Sequence, residues 1–152
     1  MPHLFGEKLR FVRQQQHLTQ KMLATRLGFA SHTQISNLES GYRPPTIALV
    51  ELLSHHFSVS LDYWLRDDIP IAITSTYRAE PLLSEPLAAR FGRTLRTLRQ
   101  ERRLNQTALA QQLSNTTQAH ISLLEAGLRE PSVALVLELM DLWSVWAEVL
   151  LS

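Results

Sequence analysis

The stretch LTQKMLATRLGFASHTQISNLESGYRPP, residues 18–45, decides the fold of this chain. Its apolar spacing predicts a helix over 20–27, which Gly28 can stop in a left-handed conformation. A second helix is predicted over 32–40, with Ser31 as its N-cap. Two short helices joined by a tight turn that contains glycine form a helix-turn-helix.

A second copy of this stretch, LNQTALAQQLSNTTQAHISLLEAGLREP, occupies residues 104–131. The repeat extends beyond both stretches at a constant offset of 86 residues, from Phe5 and Phe91 to Val50 and Val136. Roughly two in five positions are identical over about sixty residues. A repeat of this length represents two copies of a whole small domain, because solenoids use shorter and more numerous units.

The flanking sequence predicts a five-helix, all-α domain in each copy. In the first copy, apolar residues at helical spacing predict helices over 4–16 and 47–57 and a short last helix over 60–65. The second copy predicts the same order, and its predicted helix caps are Ser84, Asn105, Thr117 and Ser132.

A linker is predicted over residues 67–83, between domains that cover 1–66 and 84–152. The linker contains two adjacent aspartates and two prolines. Its segment 69–74, Ile-Pro-Ile-Ala-Ile-Thr, is apolar and β-prone for a free tether. We expect part of the linker to pack on a domain or to pair with another chain.

Composition excludes several classes of function. The net charge is only +1, and the absence of cysteine rules out disulfides, thiolate metal sites and a thiol nucleophile. No run is long enough to cross a bilayer, and the N-terminal segment lacks an apolar signal, so we expect a cytoplasmic protein. No catalytic constellation, metal-ligand set or cofactor fingerprint stands out, and we expect neither an enzyme nor a cofactor or small-molecule ligand.

Both copies resemble the Cro/cI-type, or Xre, family of helix-turn-helix DNA-binding domains of phage repressors and bacterial regulators. The resemblance rests on residues 18–28, 31–45 and 59–65, and it covers about residues 4–66 and 87–151. It implies two tandem lambda-repressor-like domains that bind double-stranded DNA in a transcriptional regulator, which we expect to be a repressor.

The family presents side chains near the N-terminus of its recognition helix to base edges in the major groove. Asparagine can pair bidentately with adenine, and threonine can contact a thymine methyl group. In the first copy the predicted DNA-contacting residues are Gln20, Ser31, His32, Thr33, Gln34, Ser36, Asn37 and Arg43. Gln20 and Arg43 are assigned to phosphates rather than bases. An ordinary solvated helix face is the alternative interpretation of these polar side chains.

Two charged pairs match an internal ion pair of the family, Arg13 with Glu39 and Arg99 with Glu125. We expect each pair to fix the recognition helix against the first helix of its domain rather than to contact DNA.

The second copy departs from the pattern at its recognition helix. Leu123 stands at the position of Asn37, and Ser114 replaces Gly28, although the neighbouring Asn115 tolerates left-handed geometry. The predicted DNA-contacting residues of this copy are Gln106, Thr117, Gln118, His120, Ser122 and Arg129. The alternative is a copy that is retained for assembly.

The C-terminal segment is rich in apolar residues. Trp143, Trp146 and Leu150 are predicted to contribute to an interface, because an exposed apolar patch of this size would otherwise favour aggregation. The chain could act as a homodimer or as an intramolecular pseudo-dimer with two DNA-binding domains. The competing hypothesis is an adaptor or antitoxin-like module whose second domain binds a protein.

Overall fold

The structure, a computed structural model, describes residues 2–72 and 84–152. Within these residues the chain forms ten α-helices and no strand. It divides into two compact units, residues 1–82 and 83–152. The predicted all-α fold is confirmed, with five helices in each unit.

Each unit repeats the same helix order. The first domain contains α1 (Phe5–Gln15), α2 (Gln20–Arg26), α3 (Thr33–Glu39), α4 (Ile47–Phe57) and α5 (Leu61–Leu65). The second domain contains α6 (Leu87–Glu101), α7 (Gln106–Gln112), α8 (Gln118–Glu125), α9 (Val133–Trp143) and α10 (Ala147–Leu150).

Side-chain caps fix the start of six of these helices. In every case a side-chain oxygen accepts a hydrogen bond from the backbone N–H three residues later, which supplies a partner that the first turn lacks. The capping residues are Thr19, Thr46, Ser60, Asn105, Thr117 and Ser132.

Ser84 is not a helix cap, contrary to the sequence prediction. The helix α6 begins three residues later, with Pro86 in extended conformation at its N-cap position and no side-chain cap bond. The reason is steric, because a residue before proline is disfavoured from helical backbone angles, and this excludes Glu85 from the helix.

The start of α3 also lies one residue later than predicted. His32 occupies the N-cap position and its side chain makes no capping bond. Ser31 nevertheless accepts a hydrogen bond from the Thr33 N–H at 3.1 Å, and its hydroxyl donates to the Thr33 hydroxyl oxygen at 3.0 Å. Ser31 therefore fixes the first turn from just outside the helix.

A buried cation closes the last helix in each domain. Lys8 is fully buried, and its ammonium group donates to the backbone carbonyls of Tyr63 and Arg66 at 2.7 and 2.5 Å. In the second domain Arg90 donates to the carbonyl of Leu151. Because the last carbonyls of a helix lack intrahelical partners, each cation satisfies acceptors that would otherwise be buried alone.

The C-terminal aromatic residues are divided between core and surface. Trp143 and Leu150 are only 9% and 0% exposed, so their placement in an interface is wrong. The helix α10 packs on α6 and α9, and the Arg102 guanidinium lies 4.7 Å from the centre of the Trp143 ring. Trp146 is 56% exposed and remains a candidate interface residue.

The beginning of the predicted linker packs on the first domain. The carboxylate of Asp67 accepts a hydrogen bond from the backbone N–H of His3 at 2.8 Å. The hydroxyl of Tyr63 donates to the carbonyl of Ile71 at 2.7 Å. The rest of the predicted linker, residues 73–83, lies outside the described residues.

The described residues contain neither a candidate membrane span nor a candidate metal site. None of the ten helices described combines the length and apolar character that a bilayer crossing requires. Residues 2–72 and 84–152 also contain no cluster of three or more side chains suited to a metal ion. The His56 ring packs edge-on against Phe57 with 4.8 Å between ring centres, as part of the apolar packing.

Candidate nucleic-acid interface

The helix α3 is fixed from behind by α1. Ile35 and Leu38 on its inner face are 0% and 4% exposed. Gly6 of α1 lies so close that a Cβ atom there would collide with the carbonyl oxygens of Leu38 and Glu39. This close approach leaves the opposite face of α3 for a partner.

The outward face of α3 carries the predicted contact residues of the first copy. The exposed ones are Ser31, His32 and Thr33, and the half-buried ones are Gln34, Ser36 and Asn37. Arg43 is exposed beyond the end of the helix, and its backbone N–H donates to the Asn37 carbonyl at 3.1 Å. The fold therefore gathers these side chains beside one another on and around α3.

The predicted ion pair of the first domain lies directly behind this face. Arg13 donates from Nε and Nη2 to the two carboxylate oxygens of Glu39, at 2.5 and 3.0 Å. Its third nitrogen, Nη1, donates to the carbonyl of Leu18 at 2.7 Å. The Glu39 side chain is 1% exposed, so the arrangement is a desolvated bidentate pair of the kind that holds two helices in register.

Gln20 belongs to this cluster rather than to the outer surface. Its side-chain amide donates to Glu39 at 2.9 Å. Burial disfavours the charged form of Glu39, but the hydrogen bonds from Arg13 and Gln20 and the charge of Arg13 outweigh it and lower the pKa of Glu39. The carboxylate therefore stays ionised in the core.

Arg10 is a site residue that the sequence analysis missed. Its Nε lies 3.5 Å from Glu39, but its side chain is 55% exposed. In the second domain Arg96 has the same geometry, 3.4 Å from Glu125 and 54% exposed. The signal was present in the repeat, since an arginine recurs three residues before the ion-paired arginine in both copies.

The second domain rebuilds the ion pair in detail. Arg99 donates from Nε and Nη2 to Glu125 at 2.5 and 2.9 Å, and Gln106 donates to the same carboxylate at 3.1 Å. Here the chain of contacts continues outward, because Gln118 at the start of α8 donates to Gln106 Oε1 at 2.8 Å. The first domain has His32 at the position of Gln118.

The outward face of α8 is polar at its start and apolar at its end. Thr117, Gln118, Ser122 and Arg129 are exposed, and His120 is half-buried. Leu123 and Leu128 are 40% and 75% exposed. The predicted contact residues are thus accessible, but apolar side chains follow them.

Comparison with known proteins matches both halves of the chain. Residues 9–64 match the family described as Helix-turn-helix, and residues 90–149 match the family described as Helix-turn-helix domain. The HTH-type transcriptional activator BcrR of Enterococcus faecalis is 38% identical to this chain over 72 residues. The matched part amounts to 47% of this chain and 35% of that relative's length. No solved structure matches the chain significantly.

These matches and the geometry define the class of protein. The chain is built from two helix-turn-helix domains, each with a recognition helix fixed by a buried arginine–glutamate pair. It belongs to the Xre-type helix-turn-helix proteins and carries two tandem copies of the domain.

Proposed function

We propose that this chain is a cytoplasmic, non-catalytic repressor that binds double-stranded DNA in a sequence-specific manner and inserts α3 and α8 into the major groove. The observation that carries the proposal is the exposed polar start of α3, backed by the buried Arg13–Glu39 pair. A rigidly held helix with small polar side chains at its N-terminal end suits direct contact with base edges.

In the first domain the base contacts are assigned to α3. Thr33 is exposed, and the Ser31 hydroxyl orients its side chain by donating a hydrogen bond to the Thr33 hydroxyl oxygen. Asn37 is half-buried one turn later, on the same helix. Threonine can contact a thymine methyl group, and asparagine can form two hydrogen bonds with adenine.

In the second domain the base contact is assigned to Gln118. One of its two amide N–H groups donates to Gln106, which the ion-paired Glu125 holds in turn. The other N–H and the Oε1 atom are the groups that a glutamine uses in a bidentate contact with adenine. The Gln106–Gln118 bond therefore supports DNA contact by α8, although Leu123 replaces the asparagine of the first copy.

Phosphate contacts are assigned to exposed arginines around each recognition helix. Arg43 and Arg129 follow the recognition helices, and Arg10 and Arg96 extend from the first helix of each domain. Arginine can bind a phosphate with two parallel hydrogen bonds, which fixes the register of the protein on the duplex.

The two domains of one chain can occupy neighbouring half-sites. The twelve linker residues beyond Ile71, 72–83, span at most about 40 Å when extended. Half-sites one helical turn apart are separated by about 34 Å. The proposal therefore includes a pseudo-dimer within one chain, and a homodimer with four domains is the competing arrangement.

Selection of fragmented genomic DNA by the intact protein tests the proposal. Two spaced half-sites support the pseudo-dimer, and a single half-site limits base reading to one domain. The absence of any enriched sequence contradicts the proposal. A promoter–reporter fusion carrying the selected site then decides the direction of regulation, because the matched relative is named an activator.

A second candidate function is assembly through the second domain. Trp146, Val149 and Leu142 are 56%, 41% and 39% exposed near the C-terminus of that domain. An apolar group of this kind fits a second copy of the chain or a protein partner. This candidate retains the adaptor or antitoxin-like hypothesis, and it is compatible with DNA binding by the first domain.

A further inference from the structure

The two domains differ at one left-handed residue. In the described residues, His17, Gly41 and Ser58 have positive φ angles, and each has a counterpart with positive φ 86 residues later. Gly28, with φ of 74°, has no such counterpart, because neither Ser114 nor Asn115 is left-handed. Asn115, which tolerates left-handed geometry, does not adopt it here.

The first domain ends α2 with a closed backbone motif. The N–H of Gly28 donates to the Thr25 carbonyl at 3.2 Å, and that of Phe29 donates to the Ala24 carbonyl at 2.8 Å. This pair of bonds, with a left-handed glycine, is a Schellman motif. It satisfies carbonyls at the end of the helix with backbone donors and needs no side chain from another element.

The second domain ends α7 in a different way. Leu113 leaves the helix in an extended conformation. The next residue, Ser114, donates both its backbone N–H and its hydroxyl to one carboxylate oxygen of Glu138 on α9, at 2.6 and 2.7 Å. The turn before the recognition helix is thus attached to α9 by a charge-assisted pair of hydrogen bonds.

The residues at this place differ as a set. Gly28 and Leu52 in the first domain correspond to Ser114 and Glu138 in the second. In the first domain, Phe29 and Leu52 are among the residues that line an open groove of about 460 Å³ between α4, α3 and the loop after α3. The leucine side chain cannot accept a hydrogen bond, so the domain that has Leu52 ends α2 with backbone hydrogen bonds alone. The domain that has Glu138 ends α7 with an extended residue and with hydrogen bonds to the carboxylate.

We propose that Glu138 is a positioning residue of the second DNA-binding domain, which sets the direction in which α8 presents Gln118. The path is short, because the turn over residues 113–117 leads directly into α8. Glu138 lies on α9, which packs in the domain core. Its hydrogen bonds with Ser114 therefore hold the turn in a fixed position relative to α9. Its effect on DNA depends on the proposed function, whereas its effect on the turn does not.

Amide hydrogen exchange in the full-length chain tests the attachment without DNA. Glu138→Leu should increase the exchange rate of the Ser114 amide by about tenfold or more, since a hydrogen bond to a charged acceptor is lost. It should also shift the side-chain amide resonances of Gln118. Asp141→Asn removes an exposed charge from the same helix and should change neither. Unchanged exchange or unchanged Gln118 resonances in Glu138→Leu would overturn the proposal.

Two rescue variants separate positioning from simple loss of stability. Glu138→Gln keeps the accepting oxygen and should restore much of the protection of Ser114. Ser114→Gly combined with Glu138→Leu installs the first-domain pair and should restore a closed turn. If neither variant recovers protection, the carboxylate does not act through Ser114.

DNA selection with the same variants reads the functional consequence. Glu138→Leu should reduce sequence preference at the half-site of the second domain and leave the half-site of the first domain unchanged. Unchanged preference at both half-sites would overturn the positioning role. If the unmodified chain enriches no sequence, the proposed function fails, and the exchange experiment still decides whether Glu138 holds the turn.

Discussion

Arg13 and Glu39 form a bidentate ion pair that fastens α1 to the recognition helix, with Nε–Oε1 and Nη2–Oε2 distances of 2.5 and 3.0 Å. Arg99 and Glu125 repeat the pair 86 residues later. The side chains of the two glutamates are 1% and 0% exposed, so neither carboxylate can exchange its arginine for water. The position of each recognition helix therefore depends on an intact pair.

Breaking one pair should strongly destabilise its domain. Arg13→Ala leaves the buried carboxylate of Glu39 without its main partner, and we expect a loss of about 3–5 kcal/mol in the free energy of unfolding. Urea unfolding of the full chain measures the loss. Arg10→Ala is the matched control and should cost less than about 1 kcal/mol, because that side chain is 55% exposed. Equal losses in the two variants would contradict the assigned role.

Stability should fall in acid as the two glutamates become protonated. The pKa of Glu39 and that of Glu125 are lowered in the folded protein, because arginine and glutamine hydrogen bonds outweigh the cost of burial. A lowered folded-state pKa gives stability that is complete above the ordinary carboxyl pKa and is lost as the pH falls through the folded value. Urea unfolding from about pH 7 downward, with NMR titration of the Glu39 carboxyl, measures this. Titration of Glu39 above the ordinary range for glutamate would contradict the prediction.

Alanine at Gly6 should destabilise the first domain, although alanine normally favours a helix. A Cβ atom at Gly6 would collide with backbone carbonyls of α3, and a similar collision occurs between Gly92 and the Leu124 carbonyl. Overpacking of this kind typically costs about 1–3 kcal/mol. Thermal unfolding should show the loss for Gly6→Ala, whereas Gln14→Ala at an exposed position of α1 should change stability by no more than about 0.5 kcal/mol. A stabilising Gly6→Ala variant would mean that α1 and α3 are further apart.

Base-reading and phosphate-binding residues should differ in their effect on DNA. Asn37→Ala should relax discrimination at one base position by about 1–3 kcal/mol, whereas Arg43→Ala should weaken all sequences alike and reduce the salt slope by about one. Binding titrations on the selected site and on single-base variants, at several salt concentrations, measure both effects. If Asn37→Ala keeps the full sequence preference, Asn37 does not read a base.

The exposed tryptophan should influence assembly rather than stability. Trp146→Ser installs the residue of the first domain at this position, since Ser60 lies 86 residues earlier. We expect it to shift the chain toward monomer in sedimentation experiments, with little change in the free energy of unfolding. Trp143→Ala should instead lower the free energy of unfolding by about 3–5 kcal/mol, because that ring is buried, and should leave the oligomeric state unchanged. An unmodified chain that is already monomeric would refute an interface between two copies of the chain.

Local signals in the sequence located most helices, because capping depends on neighbouring residues. Thr19 and Asn105 each reach an N–H three residues away, and such a short-range bond can be read from the chain. The prediction that Ser84 caps α6 was wrong, because Pro86 two residues later delays the start of the helix. The ion pairs were found from the resemblance to the family, since the two partners are 26 residues apart.

Apart from the two ion pairs, contacts between distant segments could not be predicted from the sequence. No role was predicted for Lys8, yet the fold buries it against the carbonyls of Tyr63 and Arg66. Trp143 and Leu150 looked like an exposed apolar end, but α10 covers them by packing on α6 and α9. Helical periodicity shows which face of a helix is apolar and not which neighbour will cover that face.

The sequence by itself determined two copies of one five-helix domain, because apolar periodicity, caps and the repeat are local properties of the chain. The tertiary structure decided what differs between the copies. It brings Ser114 beside Glu138, 24 residues away, where the first domain uses Gly28 alone. It also connects Gln118 through Gln106 to the buried Glu125. The physical reason is the same in both cases: a hydrogen bond or a buried charge depends on distances that only the packing of helices against one another establishes.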